Sequence, residues 1–329
     1  MADTRTALVT GARGQDGSYL AELLLEKGYR VVGASRSPDA ARACGALAQR
    51  IEWIQWDPMD QPGIERTFAS VQPDECYNLA ASASGAGMYD EPAAMCETNG
   101  VAVVRMLEAI RLASPGTRFV QASSAEVFGV PATSPQSEDT TRRPRSPYGA
   151  AKQLADAAVD IYRQRYDLFA GSAILYNHES PRRGPGFVSR KVTHAAARIS
   201  LGLADGLSLG NLEASRDWGF AGDYARAMWL MLQADEPGDF VIATGTSHTV
   251  REMCQVAFAR VGLDYEDFVD QDPAAFRVAE PVPLLGAPDK ARRVLGWQPQ
   301  VDFNTLIEMM VDADLARLRN ADGPTGADA

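Results

Sequence analysis

A chain of 329 residues, 46% hydrophobic and 23% charged, can bury one large core or two joined ones, which excludes a disordered protein. A formal charge of -11 and a pI near 4.9 repel a polyphosphate backbone, so no nucleic-acid partner is expected and any phosphate must be held in local cationic pockets. No run approaches the roughly 20 apolar residues that span a bilayer, and the N-terminus lacks a signal-like pattern, so no membrane partner and a cytoplasmic location are expected.

In chain order, short and nearly continuous apolar runs predict strands at Ala7-Leu-Val-Thr10, Val31-Val-Gly-Ala34, Ile51 to Trp56, Cys76 to Ala80 and Phe119-Val-Gln-Ala122. Between them, Gly17 to Lys27 and Pro92 to Leu112 carry apolar residues at three and four spacing and predict crossover helices. The fold class is α/β, a Rossmann-type doubly wound parallel sheet with a smaller, interleaved C-terminal substrate-binding domain. Residues 1–176 form the nucleotide domain, rejoined by about 217–245, where Phe240 to Thr244 returns to the sheet. Residues 177–216 and 246–319 form the second domain, and 320–329 read as a flexible tail. The cysteines Cys44, Cys76, Cys96 and Cys254 form no C-x-x-C pair and the 3 histidines no ligand spacing, so neither disulfides nor a metal site is expected.

Gly11-Ala-Arg-Gly14-Gln15-Asp16-Gly17 follows the first strand and opens a helix, where glycines let the backbone approach a pyrophosphate at the helix N-terminus. The second strand ends at Arg36, where a NAD site would place a carboxylate. A guanidinium there can pair with a 2'-phosphate, so the cofactor reads as NADP. Asp57, after the third strand, is placed to accept a hydrogen bond from adenine, and Leu79, Ala80 and Ala81, at and just beyond the end of the fourth strand, are expected cofactor contacts.

Tyr148 and Lys152 are four apart on a predicted helix and so share a face. Bringing a phenol from about 10 to about 7 requires roughly 4 kcal/mol. An ammonium about 4 Å away supplies a comparable amount at an effective dielectric of 20, and the oxidised nicotinamide adds positive charge, so Tyr148 reads as a base. Ser124, at the end of the fifth strand, shares the substrate oxygen, and Glu126 is placed to remove a carbon proton acidified by a neighbouring ketone. A simple reductase or epimerase does not need that carboxylate. A binder that had lost catalysis would have lost one of these groups.

These residues resemble the extended short-chain dehydrogenases, and specifically the GDP-mannose 4,6-dehydratase family. The likeness is carried by Thr10 to Gly28, Arg145-Ser-Pro-Tyr-Gly-Ala-Ala-Lys152, Tyr176-Asn-His-Glu-Ser-Pro-Arg-Arg-Gly184, Ser215-Arg-Asp-Trp-Gly219 and Val294 to Pro299. It implies dehydration of GDP-mannose by C4 oxidation, C5 proton abstraction, loss of C6 water and hydride return, with a related dehydratase, epimerase or reductase on another GDP-sugar as the alternative. It implies further cofactor contacts at His178 and Arg183. Contacts to the GDP-sugar are implied at Ser84, Asn177, Val188, Lys191, Gly210, Arg216, Arg277 and Glu280, and Arg182 and Arg190 add to the positive charge there. Ser82-Ala83-Ser84 replaces bulkier family residues and widens the pocket. A homodimer through the helices holding Val101 to Leu112 and Tyr148 to Tyr166 is expected. The segment after Arg36 departs from the one through which relatives form tetramers, which leaves the tetramer open.

Overall fold

The computed structural model of the chain describes residues 4–42, 45–82, 89–272 and 282–321. Its first half alternates strand and helix: β1 (Thr6–Thr10), α1 (Gln15–Glu26), β2 (Arg30–Ser35), the short α2 (Pro38–Arg42) and α3 (Ala46–Gln49), β3 (Glu52–Gln55), α4 (Gln61–Val71) and β4 (Glu75–Asn78). Helices α5 (Pro92–Cys96) and α6 (Ala102–Ala113) lead to β5 (Arg118–Ala122), and α7 (Pro147–Tyr166) leads to β6 (Ala170–Leu175). Then come β7 (Asn177–Glu179), α8 (Val188–Ser200), β8 (Leu207–Leu209), β9 (Ser215–Phe220), α9 (Ala221–Gln233) and β10 (Phe240–Ile242). The chain ends with β11 (Ser247–Thr249), α10 (Val250–Arg260), β12 (Val269–Gln271), α11 (Asp289–Leu295) and α12 (Phe303–Ala321).

Seven strands pair in the order β10-β6-β5-β4-β1-β2-β3, all in parallel. β1 and β4 are buried along their whole length, as a sheet covered on both faces requires. One face packs Leu20, Leu24, Met228 and Leu232 from α1 and α9; the other packs Phe68, Met106, Ile110 and Val159 from α4, α6 and α7. The strand order reverses between β1 and β4, and in such sheets the ligand crevice opens at the carboxyl ends of the strands there. The expected return to the sheet occurs at β10, with Val241 opposite Ile174 of β6.

A further core, with Val192, Trp218, Phe258, Phe303 and Ile307, joins α8, α10 and α12 to β9. It is edged by a three-stranded sheet, β11-β9-β7, and by the pair β12-β8. One expectation changes: the single helix expected over Pro92 to Leu112 is divided by a π-helical turn at Glu97–Val101. The extra residue in that turn rotates the helix face and buries Asn99 and Gly100. Of the expected tail, residues 322–329 lie outside the described residues, as do Cys44, Ala83, Ser84, Arg277 and Glu280.

Candidate active site

The glycine loop takes its shape from the end of β1. Gly11 has φ +68°, and a Cβ there would lie 2.8 Å from the backbone of Leu79 and Ala80, so only glycine lets the loop cross the end of β4. Thr10 ties the two strand ends together. Its buried hydroxyl donates to Asn78 Oδ1 at 2.6 Å and accepts the backbone N–H groups of Leu79 and Ala80 at 3.1 Å. Gly14 caps α1 without a side chain in the way, leaving first-turn N–H groups and the positive helix end turned to the crevice. This cradle fits a dinucleotide pyrophosphate. Arg13, Gly14, Gln15 and Leu47 border a cavity of about 340 Å³ beside it, and Arg13 is a cation that the sequence reading passed over.

Arg36 is exposed just beyond β2, and its carbonyl accepts from Gln55. Asp57 is exposed and accepts the Met59 N–H, so its carboxylate shapes its own turn. Ala81 lies exposed beyond β4, and Leu79 and Ala80 are partly buried. Asn99 in the π turn holds this loop from both sides: its Oδ1 accepts Ser82 N at 2.9 Å and its Nδ2 donates to Ser82 O at 3.0 Å.

Asp16 and His178 meet across 162 residues, with Nε2 3.0 Å from Asp16 Oδ2. The other ring nitrogen, Nδ1, lies 2.7 Å from the Tyr176 carbonyl. A carbonyl and a carboxylate both only accept, so this pair of partners favours the doubly protonated imidazole. Burial disfavours that charge, but Asp16 overrides it and raises the His178 pKa. Burial likewise opposes Asp16, yet His178 and Gln15 carry its carboxyl below the usual range. Gln15 also donates to His178 O and accepts from Ser180, so α1 and the segment after β7 are bound into one unit. Neither the pairing nor its charge could be read from the motifs, because the partners lie in different halves of the chain.

Ser146 caps α7 by accepting Gly149 N at 3.0 Å, and Pro147 takes the first helical position, which places Tyr148 in the first turn. A Cβ on Gly149 would lie 2.5 Å from Glu126 O, so a glycine there lets α7 close on the turn that follows β5. In that turn Ser124 caps a 3₁₀ segment, Ala125–Val127, accepting Glu126 N at 3.3 Å. The Ser124 hydroxyl and the charge of Glu126 both act on the Tyr148 phenol, whose ring lies 5.6 Å from Lys152 Nζ. The four expected catalytic residues therefore come together.

Their electrostatics differ from expectation. Burial, together with the Glu126 and Asp16 charges, pushes the Tyr148 phenol up to about 12, against relief from Ser124 and Arg183. Lys152 does not offset this: its Nζ donates to Ala122 O at 2.6 Å, and burial pushes its pKa down to about 8.

The arginines expected to make the second half cationic are largely engaged. Arg182 bonds Glu22 and Ser18, Arg183 lies 3.0 Å from the buried Glu179, and Arg190 grips the buried Asp314. Arg183 still acts electrostatically on Asp16 and Tyr148. Asn177 is exposed at the start of β7, and Val188 opens α8. Lys191 is exposed on α8 and borders, with His194, Arg198 and Leu207, a groove of about 340 Å³. Gly210 directly follows β8, and Arg216 donates to Ser215 O from β9. No group of three or more His, Cys, Asp or Glu is placed to hold a metal among the described residues.

A glycine cradle at a strand-order reversal, with serine, tyrosine and buried lysine at the neighbouring strand end, defines a nucleotide-dependent enzyme of the short-chain dehydrogenase type. The pattern of the family described as GDP-mannose 4,6 dehydratase matches residues 8–310. The chain is 46% identical to GDP-mannose 4,6 dehydratase 2 of Arabidopsis thaliana, over 94% of this chain and 87% of that one. It is 42% identical to the GDP-mannose 4,6-dehydratase of Sinorhizobium fredii, over 97% and 99%. The chain belongs to the GDP-mannose 4,6-dehydratase family. Among solved structures it is similar to the UDP-glucose 4-epimerase of Thermotoga maritima with UDP-glucose, at TM-score 0.84 and 25% identity over 95% and 99% of the chains. It is also similar to that of Thermus thermophilus complexed with NAD, at 0.81 and 28% over 94% and 98%.

Proposed function

We propose that this chain binds NADP in the glycine cradle and converts GDP-mannose to GDP-4-dehydro-6-deoxy-mannose. The observation that carries the reading is Glu126 beside Tyr148 and Ser124, on a chain 40–46% identical to proteins named as GDP-mannose 4,6-dehydratases. A nicotinamide cofactor agrees with the cradle and with the NAD of the similar epimerase, and Arg36 in place of a carboxylate favours the 2'-phosphate form. The glycine cradle and Arg36 would hold that cofactor, which would supply the hydride acceptor for C4 and the hydride donor for C6, chemistry that side chains lack.

The remaining steps fall to the chain. Tyr148 takes the C4 hydroxyl proton through a hydrogen bond shared with Ser124. Because the protein's own groups hold the phenol at about 12, that ionisation belongs to the cofactor-bound protein. Glu126 removes the C5 proton from the 4-ketone and delivers it to the C6 hydroxyl, which departs as water. Tyr148 returns its proton to C5 as the 4-keto-5,6-ene is reduced at C6, so both groups end as they began. Asn177, Val188, Lys191, Gly210 and Arg216 are assigned to the sugar nucleotide, with 177–216 and 246–319 as its domain and 1–176 with 217–245 as the cofactor domain. Exposed Leu154 and Ile161 on α7 and Leu112 on α6 suit a homodimer.

Incubation with GDP-mannose and catalytic NADP should give a product lighter by one water in mass spectrometry. Glu126→Gln should cut the rate by roughly 10²–10³-fold and abolish solvent deuterium exchange at C5, and Tyr148→Phe should abolish turnover. Full dehydration by Glu126→Gln would remove Glu126 as the C5 base, and no loss of water by the native enzyme would overturn the substrate assignment.

A further inference from the structure

One turn after Lys152 on α7 stands Asp156, fully buried beneath the candidate site. Its Oδ2 accepts the Ser123 hydroxyl at 2.7 Å and lies 3.1 Å from Arg142. Ser123 is the residue between Ala122, whose carbonyl takes the Lys152 ammonium at 2.6 Å, and Ser124. One carboxylate therefore grips the strand exit that supplies both the acceptor for Lys152 and the hydroxyl beside Tyr148. Arg142 reaches on to Asp239 at 3.5 Å, and Asp239 pairs with Arg163 at 3.0 Å, so Asp156 is anchored from behind.

We propose that Asp156 is a positioning residue that fixes Lys152 and the Ser123–Ser124 strand exit and keeps the buried lysine cationic for the reaction proposed above, on which the inference rests. Lys152 has few other counter-charges. Burial lowers its pKa, and the groups that raise it again are Asp156 and, more weakly, Asp16. Facing Asp156 are Ser123 at the end of β5, Ser172 in β6, Arg142 in the loop before α7, Asp239 before β10 and Lys152 on its own helix. Burial pushes the Asp156 carboxyl up to about 6, and Arg142 and Ser123 work against that. Lys152 thus has its counter-charge near neutral pH and loses it in acid.

The chain has only four lysines, Lys27, Lys152, Lys191 and Lys290, so isotope-labelled lysine can be followed by NMR and assigned with Lys152→Ala. In Asp156→Asn, near-isosteric and still able to hydrogen-bond Ser123, the Lys152 midpoint should fall by about one pH unit or more. The alkaline limb of kcat should move down with it, and the KM for GDP-mannose should stay within about twofold. In the native protein the Lys152 signal should also report a second titration near pH 6. A Lys152 midpoint unmoved in Asp156→Asn, or a native signal flat through the acid range should that variant not fold, overturns the proposal. If native enzyme fails to dehydrate GDP-mannose while the coupled titration is present, the reaction assignment fails and the coupling stands.

Discussion

A single imidazole between a carbonyl and a carboxylate holds the nucleotide loop to the segment after β6, and its charge sets when that tie is strong. The His178 pKa is raised above 6.5, so its share of stability is complete below 6.5 and lost as pH rises through the folded value. That of Asp16 is lowered below 3.8, so its share is complete above 3.8 and lost as pH falls through the folded value. The pair is at full strength between those limits. His178→Gln should therefore cost about 3 kcal/mol near pH 6 and clearly less near pH 9, because removing one partner strands the other charge. Urea unfolding at both pH values checks this, and an equal loss at both would show that His178 acts by packing on Tyr224, whose ring it stacks at 4.7 Å. The turn at Gly11 and the closeness of Ser124, Tyr148 and Lys152 were legible in the sequence because both follow from short spacings. Asp16 with His178 and Asp156 with Ser123 were not, since each pairing is made by the sheet and not by neighbours in the chain.

At the scale of elements, the π turn is where the helix pattern misled. Apolar spacing over Pro92 to Leu112 describes a continuous helix, and a single inserted residue leaves that spacing almost intact on either side. Its effect is local and specific: it buries Asn99 and aims both ends of its amide at the backbone of Ser82, fixing the loop that leaves β4. Two such bonds to a partly buried backbone are worth about 1–3 kcal/mol together. Asn99→Ala should free Ser82 and weaken the proposed NADP binding by roughly tenfold, while α6 still packs through Val103, Met106 and Ile110. Titration of protein fluorescence with NADP measures this. Unchanged affinity would mean that the loop's shape is set at its other end, by Thr10.

Across the whole molecule, most of the parallel sheet was readable because strands such as β1 and β4 are buried apolar runs, whereas β6, a small-residue run that is just as buried, was not predicted and β3 keeps only Trp53 buried. The small sheets were not readable, because β7, β8, β11 and β12 are three residues long and pair with strands distant in sequence. The outer surface of α6 and α7 carries a different message. Helix α7 turns Lys152 and Asp156 inward, yet Ile161 is 57% exposed and Leu154 44% on its other side, with Leu112 of α6 57% exposed. An apolar face of this kind suits a second copy of the same helices laid across it, and a stable pairing needs about 1,200–2,000 Å² of buried surface in total. Leu154 also rests on Gly100 of the π turn, where a Cβ would lie 2.9 Å from it, so Ile161 is the cleaner probe. Ile161→Glu places a charge in that face twice in a symmetric dimer and should halve the mass seen by analytical ultracentrifugation, with the unfolding transition of each protomer retained. A dimer that survives the substitution excludes this face. A monomer with reduced kcat but unchanged NADP affinity would show that pairing α7 with its copy steadies the helix that carries Tyr148 and Lys152.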